Sequence, residues 1–231
     1  MTIWDTTALN SAGLNLQAVF NLDELPAEIV AELRCRFDPG HRYRQLILLG
    51  HGGKALWASV RASGIVSENP IDDFSVRTVA SWFAQQFGDN CRAIIYPGSD
   101  AVRLQALGKI AGWHHASPMM IGIDKEWGTW FAYRAVVLAD TELQPTRSVD
   151  SESPCLTCRH KICIASCPAS ALDGGAFDLG QCVAYRKRSD SSCKATCLAR
   201  VSCPVGSAHR YCAEQIRHAY SISMTSIERH T

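Results

Sequence analysis

The residues best equipped for chemistry in this chain are its cysteines, and eight of the eleven fall within residues 154–204. The first run reads Cys155-Leu-Thr-Cys158, then Cys163, then Cys167-Pro168. The second reads Cys182, Cys193, Cys197 and Cys203-Pro204. Paired thiols at C-x2-C spacing can hold zinc, and cysteine-dense segments of secreted chains form disulfides. Thiolate runs of the form C-x2-C-x2-C-x3-C-P hold iron–sulfur clusters, and the fourth Cys of one run ligates the other cluster. Cys-Pro closes both runs here, which zinc does not call for. The chain opens Met1-Thr-Ile-Trp-Asp5, with neither a basic nor an apolar leader segment. No signal peptide is therefore expected, and a reducing cytoplasmic setting fits free thiolates better than disulfides.

The two-cluster rule assigns every thiolate. Cluster one takes Cys155, Cys158, Cys163 and, from the second run, Cys203. Cluster two takes Cys182, Cys193, Cys197 and, from the first run, Cys167. Three thiolates on one tight loop cap one face of a cubane, and the chain then carries the next one to the neighbouring cluster. Two [4Fe–4S] clusters are filled with no ligand left over. Two departures stand out: four residues, not two, separate Cys158 from Cys163, and Cys182 lies far from Cys193. Cys35, Cys91 and Cys212 have no cluster and read as free thiols.

The elements that must position this block come before it. A chain of 231 residues with 47% apolar composition supports a real core and one or two domains. Strands are expected over 18–22, 45–49, 91–96, 119–123 and 131–138. Helices are expected after Pro26, after the Gly50-His-Gly-Gly53 turn, over 75–87 and, capped by Asp100, around Leu104 and Leu107. This alternation gives an α/β (α+β) layered sandwich over residues 1–145. Residues 140–153 are polar and read as a linker. The cysteine domain spans 146–215 and looks like a diverged duplication. Residues 216–231 form a C-terminal tail, with a short helix to about Tyr220 and a loose end.

Other candidates are weaker. Gly50-His51-Gly52-Gly53-Lys54 could present backbone N–H groups to phosphate, although a tight turn explains it better. His114 and His115 could protonate a substrate or ligate metal, but neighbours in a strand point to opposite faces. Arg134 interrupts the apolar run from Trp130 to Leu138, so its charge needs a partner. That partner is an anionic cofactor group or a buried carboxylate. Arg159-His160-Lys161 and Arg186-Lys187-Arg188 could dock an acidic electron donor or be solvated loops. The net charge of +1 gives no support to a nucleic-acid surface, and the aliphatic runs are too short to span a bilayer.

Two family resemblances follow from these motifs. The segment Ile121-Gly-Ile-Asp-Lys-Glu-Trp-Gly128-Thr-Trp130-Phe131-Ala132-Tyr-Arg134-Ala-Val-Val-Leu138 resembles the G-x-W-F-A-x-R-x-V-V-L segment of CblC-type cobalamin-processing proteins. The likeness extends upstream through Asn69-Pro70-Ile71-Asp72 and Lys109-Ile-Ala-Gly112. The cysteine order, with Cys182-Val-Ala-Tyr185 and the two Cys-Pro ends, resembles the ferredoxin-like domain of epoxyqueuosine reductases, which follows a nitroreductase-like sandwich. The resemblance implies a base-off corrinoid, or cobalamin, beside a cluster, with Trp113, Trp130 and Arg134 as cofactor-binding residues. No Asp-x-His-x2-Gly run occurs, so no histidine-on corrinoid is indicated. The proton-donating Asp of epoxyqueuosine reductases sits in an Asp-Thr-Ala-Pro segment ahead of the Gly-Trp pair. At that spacing before Trp113 this chain has Pro97, with Tyr96 and Gly98 beside it, and Asp100 three residues on. Tyr96, Asp100, His114 and His115 are accordingly the candidate catalytic acids.

The expected function is that of an iron–sulfur oxidoreductase passing electrons from two clusters to a base-off corrinoid, fed by a low-potential donor. The alternatives are a corrinoid enzyme reducing a small organic substrate, as epoxyqueuosine reductase does, and a non-catalytic electron carrier or corrinoid chaperone. No membrane and no nucleic acid enter this expectation.

Overall fold

The computed structural model describes residues 4–88, 91–147 and 152–230. The chain divides into two units, one built from residues 4–111 and 131–147, the other from 112–130 and 152–230.

The first unit is mixed α/β around a four-stranded antiparallel sheet. Its strands are β1 (Leu16–Asn21), β2 (Gln45–Gly52), β3 (Arg92–Tyr96) and β4 (Phe131–Ala139), in the order β1-β2-β4-β3. Its helices are α1 (Thr7–Ser11), α2 (Ala27–Phe37), α3 (Ala55–Ser63), α4 (Pro70–Phe87) and α5 (Leu104–Ile110). Every residue of β2 is buried, as the unbroken aliphatic run Leu46-Ile-Leu-Leu49 demands. Strand alternation sends Ile47 and Leu49 to one face, where they meet Leu9 of α1, Leu56 and Val60 of α3, and Val79, Trp82 and Phe83 of α4. Leu46 and Leu48 are equally enclosed on the other face.

Several expectations need correction. The strand expected over 45–49 runs on to Gly52, because Gly50, His51 and Gly52 pair with Tyr133, Ala132 and Phe131. The Gly52 N–H is taken by Asn15 at 2.8 Å, so this segment is ladder rather than phosphate loop. Helix α4 starts five residues earlier than its apolar spacing suggests, with Pro70 in the first turn followed by Asp72 and Asp73. Asp100 does not cap α5, whose N-cap is Arg103. Residues 119–123 form no strand, only single bridges between His115 and Ile123 and between Asp124 and Gly128.

Much of the expected linker is fixed. Buried Gln45 donates to the Leu143 carbonyl and accepts from the Leu143 N–H and the Thr141 hydroxyl, at 2.8–2.9 Å. Leu143 joins the core. Residues 148–151 of that segment lie outside the described residues.

The second unit carries α6 (Pro154–Thr157), α7 (Ile162–Ala165), α8 (Leu179–Lys187), α9 (Leu198–Ser202) and α10 (Ala213–His230). Helix α10 continues through most of the expected tail, with Ile216 buried against Trp130 and Tyr211. Among the described residues, no helix is long and apolar enough to cross a membrane.

Phe83 of α4 is fully buried in the core that α1, α3 and α4 build on one face of the sheet. Phe83→Ala is expected to cost about 3–5 kcal/mol, the range for a large aromatic removed from a packed core, read as a lowered midpoint in urea unfolding.

Candidate functional site

Short helices fix the cysteines of the second unit. Ser153 caps α6 and accepts from the Cys155 N–H at 3.3 Å, with Pro154 in the first turn. Cys158 ends that helix, and Cys163 lies within α7, which ends at Ser166, one residue before Cys167. Cys197 stands at the N-cap of α9 and Cys203 at its C-cap. Helices α7 and α9 pack together. Each therefore separates two thiols along its axis, at about 1.5 Å of rise per residue.

The thiols sort by their electrostatic neighbours into two quartets. Burial is the main cause raising the pKa of Cys155, and Cys203, Cys163 and Cys158 raise it further. Cys163 and Cys203 are raised by burial first, then by members of that group. In the other quartet, burial raises Cys182; Cys197, Cys167 and Cys193 add to it, and Arg186 opposes. Cys197 is raised by burial, and Cys193 and Cys167 add to it. All four thiols of this second quartet line an apolar cavity of about 470 Å³, walled by Met119, Leu172 and Phe177. Among the described residues, no three His, Cys, Asp or Glu side chains converge as a single metal ion requires.

The surrounding packing is specific. Gly128 and Gly206 both have positive φ, 59° and 64°. A Cβ at Gly128 would overlap the Val205 carbonyl, and one at Gly206 would overlap the Trp127 backbone. The Trp127-Gly128 turn thus lies backbone to backbone on the loop that follows Cys203. Trp130 is fully buried, with the Arg200 guanidinium 4.5 Å from its ring centre and Tyr211 edge-on at 5.3 Å. Arg200 also donates to the Thr129 carbonyl at 2.5 Å. Burial pushes the Tyr220 hydroxyl up to about 12, with Cys197 adding.

Arg186 corrects the reading of its basic triplet. It is buried, donates to the carbonyls of Cys193 and Tyr220 at 3.2 Å, and reaches Ser223 at 2.8 Å. Only Lys187 and Arg188 of that triplet are exposed. His114 is buried and His115 half-buried, the split that extended backbone gives adjacent residues. Trp113 is half-buried in the same unit.

In the first unit the structure brings Arg134, Tyr96, His51 and Asp72 together. The β2–β4 register shifts between Leu49 and Gly50, so Arg134 is the extra residue of a bulge. The β3–β4 register shifts between Ile94 and Tyr96. Bulges re-aim side chains, and here Arg134 donates through Nε to His51 Nδ1 at 2.9 Å and through Nη1 to Asp72 at 3.4 Å. Burial raises the Tyr96 pKa; Arg134 lowers it and Asp72 raises it. The cation within an apolar run signalled a partner in the sequence, but nothing there singled out His51 as that partner, a side chain that strand pairing encloses. Asp100 is exposed in the loop before α5.

No family model and no curated protein matches this chain. Solved structures do. The chain is similar to an epoxyqueuosine reductase solved with an epoxyqueuosine-modified tRNA-Tyr stem loop, at TM-score 0.55 and 11% identity, covering 90% of this chain and 66% of that one. It is similar to a selenomethionine-labelled epoxyqueuosine reductase at TM-score 0.54 and 11% identity, covering 91% and 68%. A third is the Bacillus subtilis enzyme with its catalytic aspartate loop swung out of the active site, at TM-score 0.52 and 11% identity, covering 89% and 66%. The fold is therefore that of epoxyqueuosine reductases, and the chain spans about two thirds of their length. None of these neighbours bears on the CblC-type likeness. The tRNA complex corrects the expectation that nucleic acid has no place. Net charge averages over the whole surface and does not report the local charge that meets a phosphate backbone.

Arg134→Ala is expected to cost about 1–3 kcal/mol through the abandoned Asp72 and His51 groups. Arg134→Lys should restore part, because an ammonium cannot span both partners as a planar fork does. Thermal melting of the two variants checks this.

Proposed function

We propose that the protein is an iron–sulfur oxidoreductase of the epoxyqueuosine reductase type, reducing an organic substrate with a corrinoid and two [4Fe–4S] clusters. The observation that carries the reading is the sorting of eight cysteines into two quartets, four and four, in the crossed order that the two-cluster rule requires. Cys155, Cys158, Cys163 and Cys203 would hold one cluster; Cys167, Cys182, Cys193 and Cys197 the other, within the apolar cavity.

The donor set fits such clusters better than zinc. Four thiolates at about 2.3 Å from one zinc must converge tightly, whereas a multi-atom cubane spreads them around a larger body. Clusters supply one-electron transfer, with potentials set by charge, hydrogen bonds and exposure. The chain's share is to present thiolates, exclude water through Met119, Leu172 and Phe177, and place the Arg186 cation beside the second quartet.

The corrinoid enters through the likeness in fold. Arg134, in the first unit, retains exposed atoms and stays assigned to it. Trp130 is enclosed within its own unit. At the spacing where epoxyqueuosine reductases carry their proton-donating Asp this chain has Pro97; Tyr96 beside it is the acid we assign, its hydroxyl kept protonated by burial, with Arg134 and Asp72 acting on it in opposite directions. Substrate reduction is favoured over corrinoid reduction as an end in itself, because the proteins sharing the fold are substrate reductases. The substrate class is a small organic group, free or as a modified base in a tRNA stem loop.

Protein reconstituted without oxygen should carry about eight irons and eight sulfides per chain. Cob(II)alamin added to it should give a base-off paramagnetic spectrum without nitrogen splitting from the lower face. Four irons, or stoichiometric zinc, would overturn the cluster assignment; an unchanged cobalamin spectrum would overturn the corrinoid part.

A further inference from the structure

The loop between Cys158 and Cys163 departs from two-residue spacing, and the structure leaves its residues 159–161 on the surface. Arg159, His160 and Lys161 are all exposed. Lys161 sits at a φ of 39°, which turns the chain sharply outward before α7. Among the described residues neither Arg159 nor Lys161 is drawn into an ion pair. The knuckle is flanked by two exposed aliphatics, Leu156 at 78% and Ile162 at 45%. Single exposed apolar residues need no explanation, but an apolar pair around unpaired cations is the composition of a docking patch: apolar contact supplies burial and the cations steer. Its position is specific, because the loop is the stretch of chain that joins Cys158 to Cys163, with Cys155 three residues before Cys158.

We infer that this knuckle is where an acidic one-electron carrier protein docks. The inference rests on the cluster reading above. The exchange would be one electron: the carrier would lose one, the cluster that Cys155, Cys158, Cys163 and Cys203 would hold would gain it, and no bond or proton would move. A carrier protein suits the patch better than nucleic acid does. The flanking groups are aliphatic rather than aromatic, so unstacked bases have no platform there. The cations are also within two residues of Cys158 or Cys163 along the chain, where a short path for the electron matters.

The test titrates an acidic plant-type [2Fe–2S] ferredoxin into reconstituted protein at low and at physiological ionic strength, following affinity and association rate. The parent should bind, and binding should weaken with salt. Arg159→Glu with Lys161→Glu should lose about tenfold or more in affinity, mostly in association rate. Leu156→Ser with Ile162→Ser should lose affinity without changing the salt dependence. Lys187→Glu with Lys194→Glu, the same charge change elsewhere in the unit, should bind as the parent does. Iron content and visible absorbance should match the parent in every variant. Absence of parent binding, equal affinity in the knuckle variant, or equal loss in the control overturns the inference. So does a knuckle variant that loses affinity for a tRNA stem loop and not for ferredoxin. Full iron content with any of these results leaves the cluster reading standing; missing iron in the parent is the failure of that reading instead.

Discussion

Crowding thiols into an apolar enclosure is unfavourable unless something neutralises them, and the quartet Cys167, Cys182, Cys193 and Cys197 is such a crowd. Burial first, and then neighbouring thiols, raise the pKa of Cys155, Cys182 and Cys197. An ionised thiol there lacks solvation, and a protonated one gains little from its polar neighbours. Iron bound as we propose would remove the conflict, because a ligating sulfur gives up its proton and shares its charge with the metal. The packing of α7 against α9 makes the crossed arrangement possible. Each short helix has Cys residues near both ends, and each sends them to different quartets.

The rest of this unit keeps those helices in register. The Trp127-Gly128 turn meets Gly206 without side chains between them. Arg200 of α9 then ties the Thr129 carbonyl to the face of Trp130. Residues 112–130 consequently belong with the cysteine region although they precede β4 in the chain. In the first unit a different device operates. Two bulges, on either side of β4, set Arg134 and Tyr96 out of simple alternation and bring them to Asp72 of α4 and to His51.

The sequence was most legible where a residue type allows few alternatives. Cysteine spacing and the Cys-Pro ends divide eight thiols into two groups by rule alone, and the aliphatic run of β2 announced a strand buried on both faces. Legibility failed where tertiary partners decide. Residues 119–123 have a strand composition yet lack a neighbour to pair with along their length. Gly50 to Gly52 look like a phosphate loop, but β4 takes their backbone groups. Arg186 reads as a surface cation and is the buried bond-maker between α8 and the carbonyls around Cys193. The charge argument against nucleic acid failed because a net value hides its distribution.

The central claim is that the ligands cross between runs, and exchanging one crossing cysteine at a time tests it most directly. Reduced protein should show two interacting paramagnetic centres. Cys203→Ser should alter the centre held by Cys155, Cys158 and Cys163 and spare the other, and Cys167→Ser should do the reverse. If Cys203→Ser instead perturbs only the centre next to it in sequence, with Cys193 and Cys197, the crossed assignment is wrong.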